Sequence, residues 1–348
     1  MAALDPGYVV ATESCLPQHL GTVGGKAVGL GSLLRVGQRV AASFVVTAAA
    51  YRDYVASGAR GLSPAMREAI GSAYLALCER CGAELTVAVR SSATIEDSTD
   101  ASCAGQFRTF LGASGVEELL DQVEQCWIAA SEPQISSYRA ARQLEAADDG
   151  VAVIVQELVD AQVAGVMFTQ HPRTGDRSLI VIESSYGLGE AVVGGEVTPD
   201  LFEVNRITRR IHDSRIGAKR FEHRLAPDGR SVRTLPVDDG RRRAWSITEE
   251  QVMVLLALAG DLEAKLGRGL DVEWAIGTTA GMTGAEALFT LQVRPITAGS
   301  GHAARPGPAM APGPEAGPGR PPAAGPNLDA VDHILGRLVG RRPGDGAP

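Results

Sequence analysis

Residues 86–109 combine side chains and backbone features that could bind a phosphate group. The apolar run 87–89 predicts a short buried strand that delivers the guanidinium of Arg90 to its exposed end. Small hydroxyl residues, acids and glycine follow, and such a composition can surround a polar ligand with backbone N–H groups and side-chain oxygens. We interpret the segment as a phosphate-handling loop. An ordinary polar connection is the alternative.

A second group of polar side chains lies on two predicted strands, residues 270–276 and 287–296. Alternation along a strand places Glu273 on one polar face and Gln292 with Arg294 on one face of the partner. Carboxylate and amide oxygens suit magnesium, and the arginine fork suits phosphate. A surface ion pair between Glu273 and Arg294 is the alternative. The opposite faces carry apolar residues expected in the core: Val272, Trp274, Ile276, Leu291 and Val293.

Residues 19–31 form a glycine-rich stretch that we interpret as a loop around Lys26. The sequence has 33 lysines and arginines, of which only three are lysine. Because lysine is so rare in this chain, a lysine in a glycine-rich stretch indicates a specific role. Glycines let a backbone approach an anion, and Lys26 would add a point charge. The stretch is not a P-loop, because Leu20 stands where the first glycine is required and Ala27 replaces the Ser or Thr. A flexible turn is the alternative.

Helix boundaries are marked by capping residues. Ser63, followed by proline, predicts the start of a helix that ends at Gly82. Thr248 opens a capping box, and that helix is expected to close at Gly267. Residues 116–144 are predicted to be helical, with an interruption at a proline. The helix that begins at Thr248 is expected to lie in the core and to carry no chemistry.

Three short β-rich runs, residues 151–159, 163–169 and 178–183, predict an antiparallel meander. Gln156 and Glu157 interrupt the first run with two adjacent polar residues. Such residues at the end of a buried strand often hydrogen-bond a heterocycle, although a structural pair is equally open.

Two motifs are rejected as sites. Cys78 and Cys81 form a CxxC with no second pair, which does not support zinc or redox chemistry. The glycine turn at 186–195 follows a strand, but Val192 stands where a dinucleotide-binding turn needs a small residue.

Composition narrows the classes of protein. With 348 residues, 45% of them apolar, the chain can form a sizeable core, and its formal charge of −8 argues against nucleic-acid or membrane-surface binding. No apolar run is long enough to span a bilayer, and the first residues lack the pattern of a signal peptide. Five irregularly spaced cysteines do not suggest a disulfide framework, so a cytoplasmic setting is expected.

Five ordered segments resemble a known family: AVRSSATIEDSTDASCAGQF, AGVMFTQHPRTGD, YGLGEAVVGGEVTPDLF, DVEWAI and LQVRPIT. They look like the N-terminal ATP-grasp region shared by phosphoenolpyruvate synthase, pyruvate phosphate dikinase and rifampicin phosphotransferase. The resemblance covers residues 21–297 and implies an α+β, ATP-grasp fold. Two lobes, expected at 1–180 and 181–298, would clamp the nucleotide between their sheets.

The resemblance also implies roles for charged and metal-binding residues. Lys26 and Arg90 would hold the ATP phosphates and, with Arg294 on a phosphate group, would carry the catalysis. Glu273 and Gln292 would bind magnesium (Mg2+). ATP would be split to AMP and phosphate, and the β-phosphoryl group would pass to a histidine and then to pyruvate, an antibiotic hydroxyl or a similar acceptor.

Further nucleotide contacts follow from the same resemblance. Gly105 and Thr109 would lie in the loop that closes over the phosphates. Gln156, Glu157 and Val159 would meet the adenine. The chain departs from the expected family residues at three places in the phosphate segment, where loop packing or acceptor access would be affected: Ser98, Cys103 and Phe107.

The end of the chain differs from the family. Residues 299–326 are rich in Pro, Gly and Ala and predict an extended, disordered linker, and 327–340 could form a short amphipathic helix. The family's phosphohistidine and acceptor domains are not recognised here. His302 faintly echoes the phosphorylated-histidine motif, but we assign it no catalytic role because no domain surrounds it.

Three hypotheses follow. The first is an ATP-splitting, dikinase-like component whose histidine domain is a separate partner chain. The second is a nucleotide-binding or scaffold protein that transfers nothing alone. The third is a direct kinase acting on a small molecule, which would produce ADP. Magnesium and ATP are expected ligands in the first and third.

Overall fold

The computed structural model describes residues 7–58, 61–82, 84–93, 109–130, 150–277 and 287–296. Its strands are β1 (Val9–Ala11), β2 (Ser43–Val46), β3 (Thr86–Ala93), β4 (Thr109–Ser114), β5 (Val151–Glu157), β6 (Ala161–Phe168), β7 (Leu179–Tyr186), β8 (Asp200–Asn205), β9 (Arg210–Arg215), β10 (Phe221–Leu225), β11 (Val232–Pro236), β12 (Leu270–Gly277) and β13 (Leu288–Pro295). Its helices are α1 (Leu20–Arg35), α2 (Ala48–Ser57), α3 (Pro64–Cys81), α4 (Val116–Ala130), α5 (Glu190–Val193), α6 (Asp239–Arg242) and α7 (Glu249–Leu266), preceded by 3₁₀ turns at Thr12–Ser14 and Pro17–His19.

The first sheet has the strand order β1-β2-β5-β3-β4, and all of its pairs are antiparallel. Helices α2, α3 and α4 cover one face, where the fully buried Trp127 and Tyr74 pack among apolar residues of the sheet. Val87 and Val89 point into this core, whereas Ala88 and Arg90 alternate onto the opposite face. One face of the first sheet therefore packs against helices α2, α3 and α4, and the other face carries Arg90.

The second sheet has the strand order β13-β12-β6-β7-β8-β9. Helix α7 packs its apolar side on one face around the fully buried Trp274. The start of β8 is held by an ion pair between Lys219 and Asp200, both inaccessible to solvent. Asp200 also accepts hydrogen bonds from the backbone N–H and hydroxyl of Ser246, each at 2.7 Å. The one lysine that is fully buried thus stabilises the far end of this sheet.

Helix α1 occupies the glycine-rich stretch that we expected to be a loop, and that expectation was wrong. The helix bends at Gly24, whose φ of 75° only glycine adopts readily. Ser92 donates its hydroxyl hydrogen to Val23 O at 2.8 Å and accepts from Ala27 N at 3.2 Å, so side-chain bonds replace helical bonds at the bend. A Cβ atom at Gly24 would overlap the carbonyl of Ser92.

The same helix also contacts the second sheet. A Cβ atom added to Gly29 would lie 2.5 Å from the carbonyl oxygen of Val293 on β13. Leu30 and Leu33 of α1 are buried in the cluster that includes Ile154 of the first sheet and Val293 of the second. Helix α1 therefore lies between the two sheets and packs on both.

The β10–β11 ribbon forms another connection between the two parts. The hydroxyl of Thr86, on β3, donates to the carbonyl of Gly229 at the turn of the ribbon. Arg230 forms a 3.2 Å ion pair with Glu84 beside β3. At the other end, the Leu188 N–H donates to His223 O at 2.9 Å. The ribbon thus runs from the second sheet to the edge of the first.

The expected meander was wrong in its first step. β6 and β7 pair antiparallel as predicted, but β5 lies in the first sheet between β2 and β3, while β6 pairs with β12. The chain changes sheet between Glu157 and Ala161, earlier than the lobe division at 180 and 181 expected from the sequence. The α+β class and the two-lobed arrangement expected of an ATP-grasp fold are confirmed.

The predicted helix boundaries at caps are confirmed. Ser63 accepts a hydrogen bond from the Met66 N–H, and Gly82 adopts the left-handed conformation at the end of α3. The Thr248 capping box is formed in both directions, and α7 is closed at Gly267. In the described part of the chain, no helix combines the length and the apolar character needed to cross a bilayer.

Several expectations fall on residues outside the described ranges. These are the phosphate segment after Ala93 with its three departures, Gly105, the continuation of α4 toward residue 144, the linker at 299–326 with His302, and the tail helix at 327–340.

Candidate nucleotide site between the two sheets

Arg90 of the first sheet reaches two side chains of the second sheet. Its Nη2 donates to Glu273 Oε2 and to Gln292 Oε1, both at 2.8 Å. Its Nη1 lies 3.3 Å from Gln156 Oε1 and 3.4 Å from the carbonyl oxygen of Leu291. One guanidinium therefore joins three predicted site residues from both sheets.

The position of Arg90 differs in detail from the expectation. β3 continues to Ala93, with Ser91 and Ser92 buried, so Arg90 lies inside the strand and not at its exposed end. Thr109 was expected in a closing loop, but it begins β4 and pairs in register with Arg90. The two corrections have different partners. The pairing with β4 ends at Arg90 and Thr109, whereas pairing with β5 holds Ser91 and Ser92 in a buried strand.

Glu273 and Gln292 are directly opposite each other in the β12–β13 pair, as the alternation predicted. A bulge follows immediately, because Trp274 pairs with Thr290 and leaves Leu291 unmatched. Leu291 was expected in the core with Trp274, and that was wrong. It packs instead with apolar residues on the site face, beside Val159.

Glu273 lies in a cationic environment. Burial opposes its ionisation, but the charges of Arg90 and Arg294 outweigh burial and lower the pKa of Glu273 below its usual value. The ion pair with Arg90 is largely shielded from water, with 12% of the Arg90 side chain and 14% of the Glu273 side chain exposed. Glu273 is therefore an ionised, partly desolvated carboxylate.

Arg294 forms its ion pair with Asp271 rather than the surface pair with Glu273 that we held as the alternative. Arg294 Nε and Nη2 each lie 2.8 Å from Asp271 Oδ2, and Asp271 is buried. About 30% of the Arg294 side chain remains exposed, so it borders the site. The buried aspartate holds the guanidinium in place with part of its surface available to a ligand.

Lys26 lies on α1 two residues after the bend. Its ammonium donates to the carbonyl oxygen of Ser91 at 3.0 Å, which brings it beside the strand that carries Arg90. Its charge also lowers the pKa of Glu273, although less than burial and the arginines affect it. Lys26 is half-buried and adds a third cation near Glu273, beside Arg90 and Arg294.

The three predicted adenine residues are separated by strand alternation. Gln156 is buried on the site face, and its Nε2 has no hydrogen-bond partner among the described residues. Glu157 points to the other face, where its carboxylate accepts from the Ala42 N–H at 3.3 Å. Val159 follows the strand and packs with Leu158 and Leu291. Gln156 and Val159 border the cleft, while the Glu157 side chain does not meet Arg90.

Apolar residues from both sheets and the ribbon meet beside Gln156. The cluster comprises Ala161, Ala164, Leu188 and Ala275, with Leu111, Leu158, Val159, Val232 and Leu291 packed against it. An apolar cluster that includes Leu158 and Val159, which follow Gln156 in the chain, suits a heterocyclic base.

Glu190 is a site residue that the sequence analysis did not single out. It opens α5 directly after the glycine turn, and burial raises its pKa, with the charge of Glu273 adding to the effect. Arg90 and Lys26 act in the opposite direction, which shows that Glu190 faces the same cations. The available signal was an acid at the end of a glycine turn that we had rejected as a dinucleotide motif.

The donor set fits Mg2+. Glu273 and Gln292 present a carboxylate and an amide oxygen to one point, and both are hard oxygen ligands. Among the described residues there is no cluster of three or more His, Cys, Asp and Glu side chains able to hold a metal. Magnesium typically takes one or two protein ligands and completes its shell with phosphates and water, so this small set is adequate.

The chain is similar to part of several larger proteins that are named as synthases or transferases. A probable phosphoenolpyruvate synthase of Archaeoglobus fulgidus is 36% identical over 309 residues, covering 79% of this chain and 40% of that protein. A prodigiosin synthesizing transferase of Serratia marcescens is 37% identical, covering 84% and 34%. A rifampicin phosphotransferase of Streptomyces sviceus is 32% identical, covering 83% and 36%. The chain thus spans less than half the length of these relatives.

The sequence profile of the pyruvate phosphate dikinase AMP/ATP-binding domain matches residues 59–312. That range is most of the 348 residues and includes Arg90, Gln156, Glu273 and Gln292. The chain belongs to the family of the pyruvate phosphate dikinase AMP/ATP-binding domain.

Proposed function

We propose that this chain binds ATP with Mg2+ between its two sheets and splits it to AMP and phosphate. The phosphoryl group passes to a histidine on a separate partner chain and then to pyruvate or another small acceptor. The observation that carries the proposal is the contact of Arg90 with Glu273 and Gln292 across the cleft. A phosphate-binding cation and two magnesium ligands therefore converge where a triphosphate would lie.

The residues would act by positioning and by charge. The histidine nitrogen forms a bond to the β-phosphorus while AMP leaves, and water accepts the γ-phosphoryl group to give phosphate. Lys26, Arg90 and Arg294 would donate hydrogen bonds to the phosphate oxygens as negative charge develops. Bound Mg2+, on Glu273 and Gln292, would neutralise part of that charge. Gln156 and Val159 would hold the base in the apolar cluster.

The product distinguishes this proposal from its alternatives. Purified chain is incubated with ATP and Mg2+, with and without candidate histidine-domain proteins, and the nucleotides and phosphate are quantified. AMP plus phosphate supports the proposed reaction. ADP as the product supports a direct small-molecule kinase, and binding without turnover under every condition supports a scaffold.

Variants connect the reaction to the site. Arg90→Ala and Glu273→Ala are each expected to lower turnover by about 10²- to 10³-fold, because the first removes a cation at the phosphates and the second removes a ligand of the metal. Arg67→Ala is the control, since Arg67 lies on the surface of α3 in an exposed ion pair with Glu117. Turnover at the normal rate by either site variant would contradict the assignment. The same proposal includes a cytoplasmic setting and a small-molecule acceptor such as pyruvate.

A further inference from the structure

The Nη2 nitrogen of Arg90 donates to both of the oxygens that would hold the metal. It is 2.8 Å from Glu273 Oε2 and 2.8 Å from Gln292 Oε1, so both oxygens direct their lone pairs toward one guanidinium nitrogen. Magnesium bound to the same two oxygens would lie about 2.0–2.1 Å from each. A metal on these two oxygens would therefore compete with this nitrogen for them.

Charge adds to the steric conflict. The Arg90 and Glu273 side chains are largely shielded from water, so a dication beside the guanidinium would be screened poorly. Arg294 and Lys26 also contribute positive charge at Glu273, while Glu190 contributes negative charge nearby. Arg90 is the cation in direct contact with both oxygens, and it determines whether a metal can reach them.

Phosphate offers Arg90 an alternative partner. A guanidinium binds phosphate oxygens through two parallel hydrogen bonds, a geometry that suits it as well as carboxylate does. Gln156, whose Oε1 faces Arg90, keeps a buried Nε2 donor without a partner among the described residues. The arrangement around Arg90 therefore leaves hydrogen-bonding capacity for a ligand in the cleft.

We propose that Arg90 and a divalent metal exclude each other on Glu273 and Gln292. Phosphate groups of the nucleotide draw Arg90 away from these oxygens, so the metal enters with the nucleotide and not before it. This inference rests on the proposed function, because it concerns the metal and phosphates of that site. It gives Arg90 a second role, in which it prevents Glu273 and Gln292 from binding a metal in the absence of the nucleotide.

The test measures Mn2+ binding to the full chain by the loss of the free-ion electron paramagnetic resonance signal. Without nucleotide, Arg90→Ala is expected to bind Mn2+ at least about tenfold more tightly than the wild type, because a positive charge has been removed. Arg90→Gln, which removes the charge but keeps a polar side chain, should show the same direction if Arg90→Ala folds poorly. Arg67→Ala should match the wild type, and adding Glu273→Ala should abolish the gain.

A non-hydrolysable ATP analogue completes the design. The analogue itself binds Mn2+, so the loss of signal with the analogue alone at the same concentration is subtracted. The wild type should then bind Mn2+ at least about tenfold more tightly with the analogue than without it. If it does, but the two Arg90 variants bind Mn2+ alone no better than the wild type, the exclusion is wrong and the proposed function stands. If the wild type binds no Mn2+ even with the analogue, both are wrong. Wild-type binding that is equally tight with and without the analogue also overturns the exclusion.

Discussion

Glu190 and Glu273 face the same cations, yet their pKa values shift in opposite directions. Burial dominates at Glu190 and raises its pKa, because Arg90 and Lys26 do not compensate fully. At Glu273 burial is opposed by direct contact with Arg90 and by the charge of Arg294, and the pKa is lowered. The difference follows from which carboxylate receives the guanidinium hydrogen bond.

These opposite shifts predict opposite pH profiles of stability. Replacing Glu190 by Gln removes a carboxylate whose ionisation the fold disfavours. Glu190→Gln should therefore gain stability relative to the wild type as the pH rises from about 4 toward 8. The stability that ionised Glu273 contributes is present above the usual glutamate pKa and is lost in acid. Glu273→Gln should therefore be less stable at neutral pH, with a gap that narrows toward about pH 3.

Urea midpoints measured across this pH range would check both profiles. Glu68→Gln is the control, because Glu68 is exposed on α3, and its profile should follow the wild type. Shifts of the same sign in the Glu190 and Glu273 variants would contradict the assignment of burial to one and ion pairing to the other.

At the scale of elements, the bend in α1 gives a second prediction. Gly24→Ala should destabilise the protein by about 1–3 kcal/mol, because alanine is strained at positive φ and its Cβ would meet the Ser92 carbonyl. Gly21→Ala lies in the same helix with nothing within 4 Å of the added Cβ, and should be neutral or stabilising by up to about 1 kcal/mol.

Chemical denaturation of the two alanine variants is the measurement. The comparison holds the substitution constant and changes only the backbone conformation and the neighbouring strand. Equal effects at the two positions would show that the bend is not constrained by β3.

The buried pair at the start of β8 gives a third prediction. Lys219→Met leaves Asp200 without its cation in a solvent-free position and should cost about 3–5 kcal/mol. Lys265→Met removes a partly exposed pair with Asp261 on α7 and should cost less than about 1 kcal/mol. Unfolding free energies of both variants, from urea titration, would check this, and a similar cost at both lysines would contradict it.

The sequence predicted where several helices begin, because a helix cap depends on hydrogen bonds between residues only a few positions apart. Ser63 and Thr248 bond backbone groups three residues onward, so their helices begin where the capping pattern indicates. Alternation likewise predicted that Glu273 and Gln292 would lie on polar faces of paired strands. The roles assigned to these residues stay predictions.

The predictions that were wrong concern contacts between residues that are distant in the sequence. Five glycines in residues 19–31 oppose a helix locally, but packing on β3 and β13 makes α1 helical. The partners of β5 are 66 residues away in the contact of Gln156 with Arg90 and 115 residues away in the contact of Glu157 with Ala42, and no local pattern identifies them. The bulge at Leu291 places this side chain on the face opposite to the predicted one. The pattern of apolar residues in the sequence does not indicate the bulge.

At the scale of the whole molecule, the two sheets are joined by α1, by the Arg90 contacts and by the β10–β11 ribbon. A nucleotide bound between the sheets should therefore stabilise both together. Saturation with ATP and Mg2+ at about 100 times Kd should add about 2.7 kcal/mol and raise one common melting transition. Arg90→Ala should lose most of this gain, while Arg67→Ala should retain it.

Differential scanning calorimetry with and without ligand would show the number of transitions. A ligand that shifts one transition and leaves a second unchanged would show that the sheets unfold independently, which would contradict a shared site.

Two close glycine contacts hold helix α1 against both sheets. Gly24 and Gly29 each lie against a carbonyl of a different sheet without room for a methyl group. Neither sheet can therefore shift along α1 without breaking one of these contacts. A side chain at either glycine would push one sheet away from the helix and would change the distance between Arg90 and Glu273.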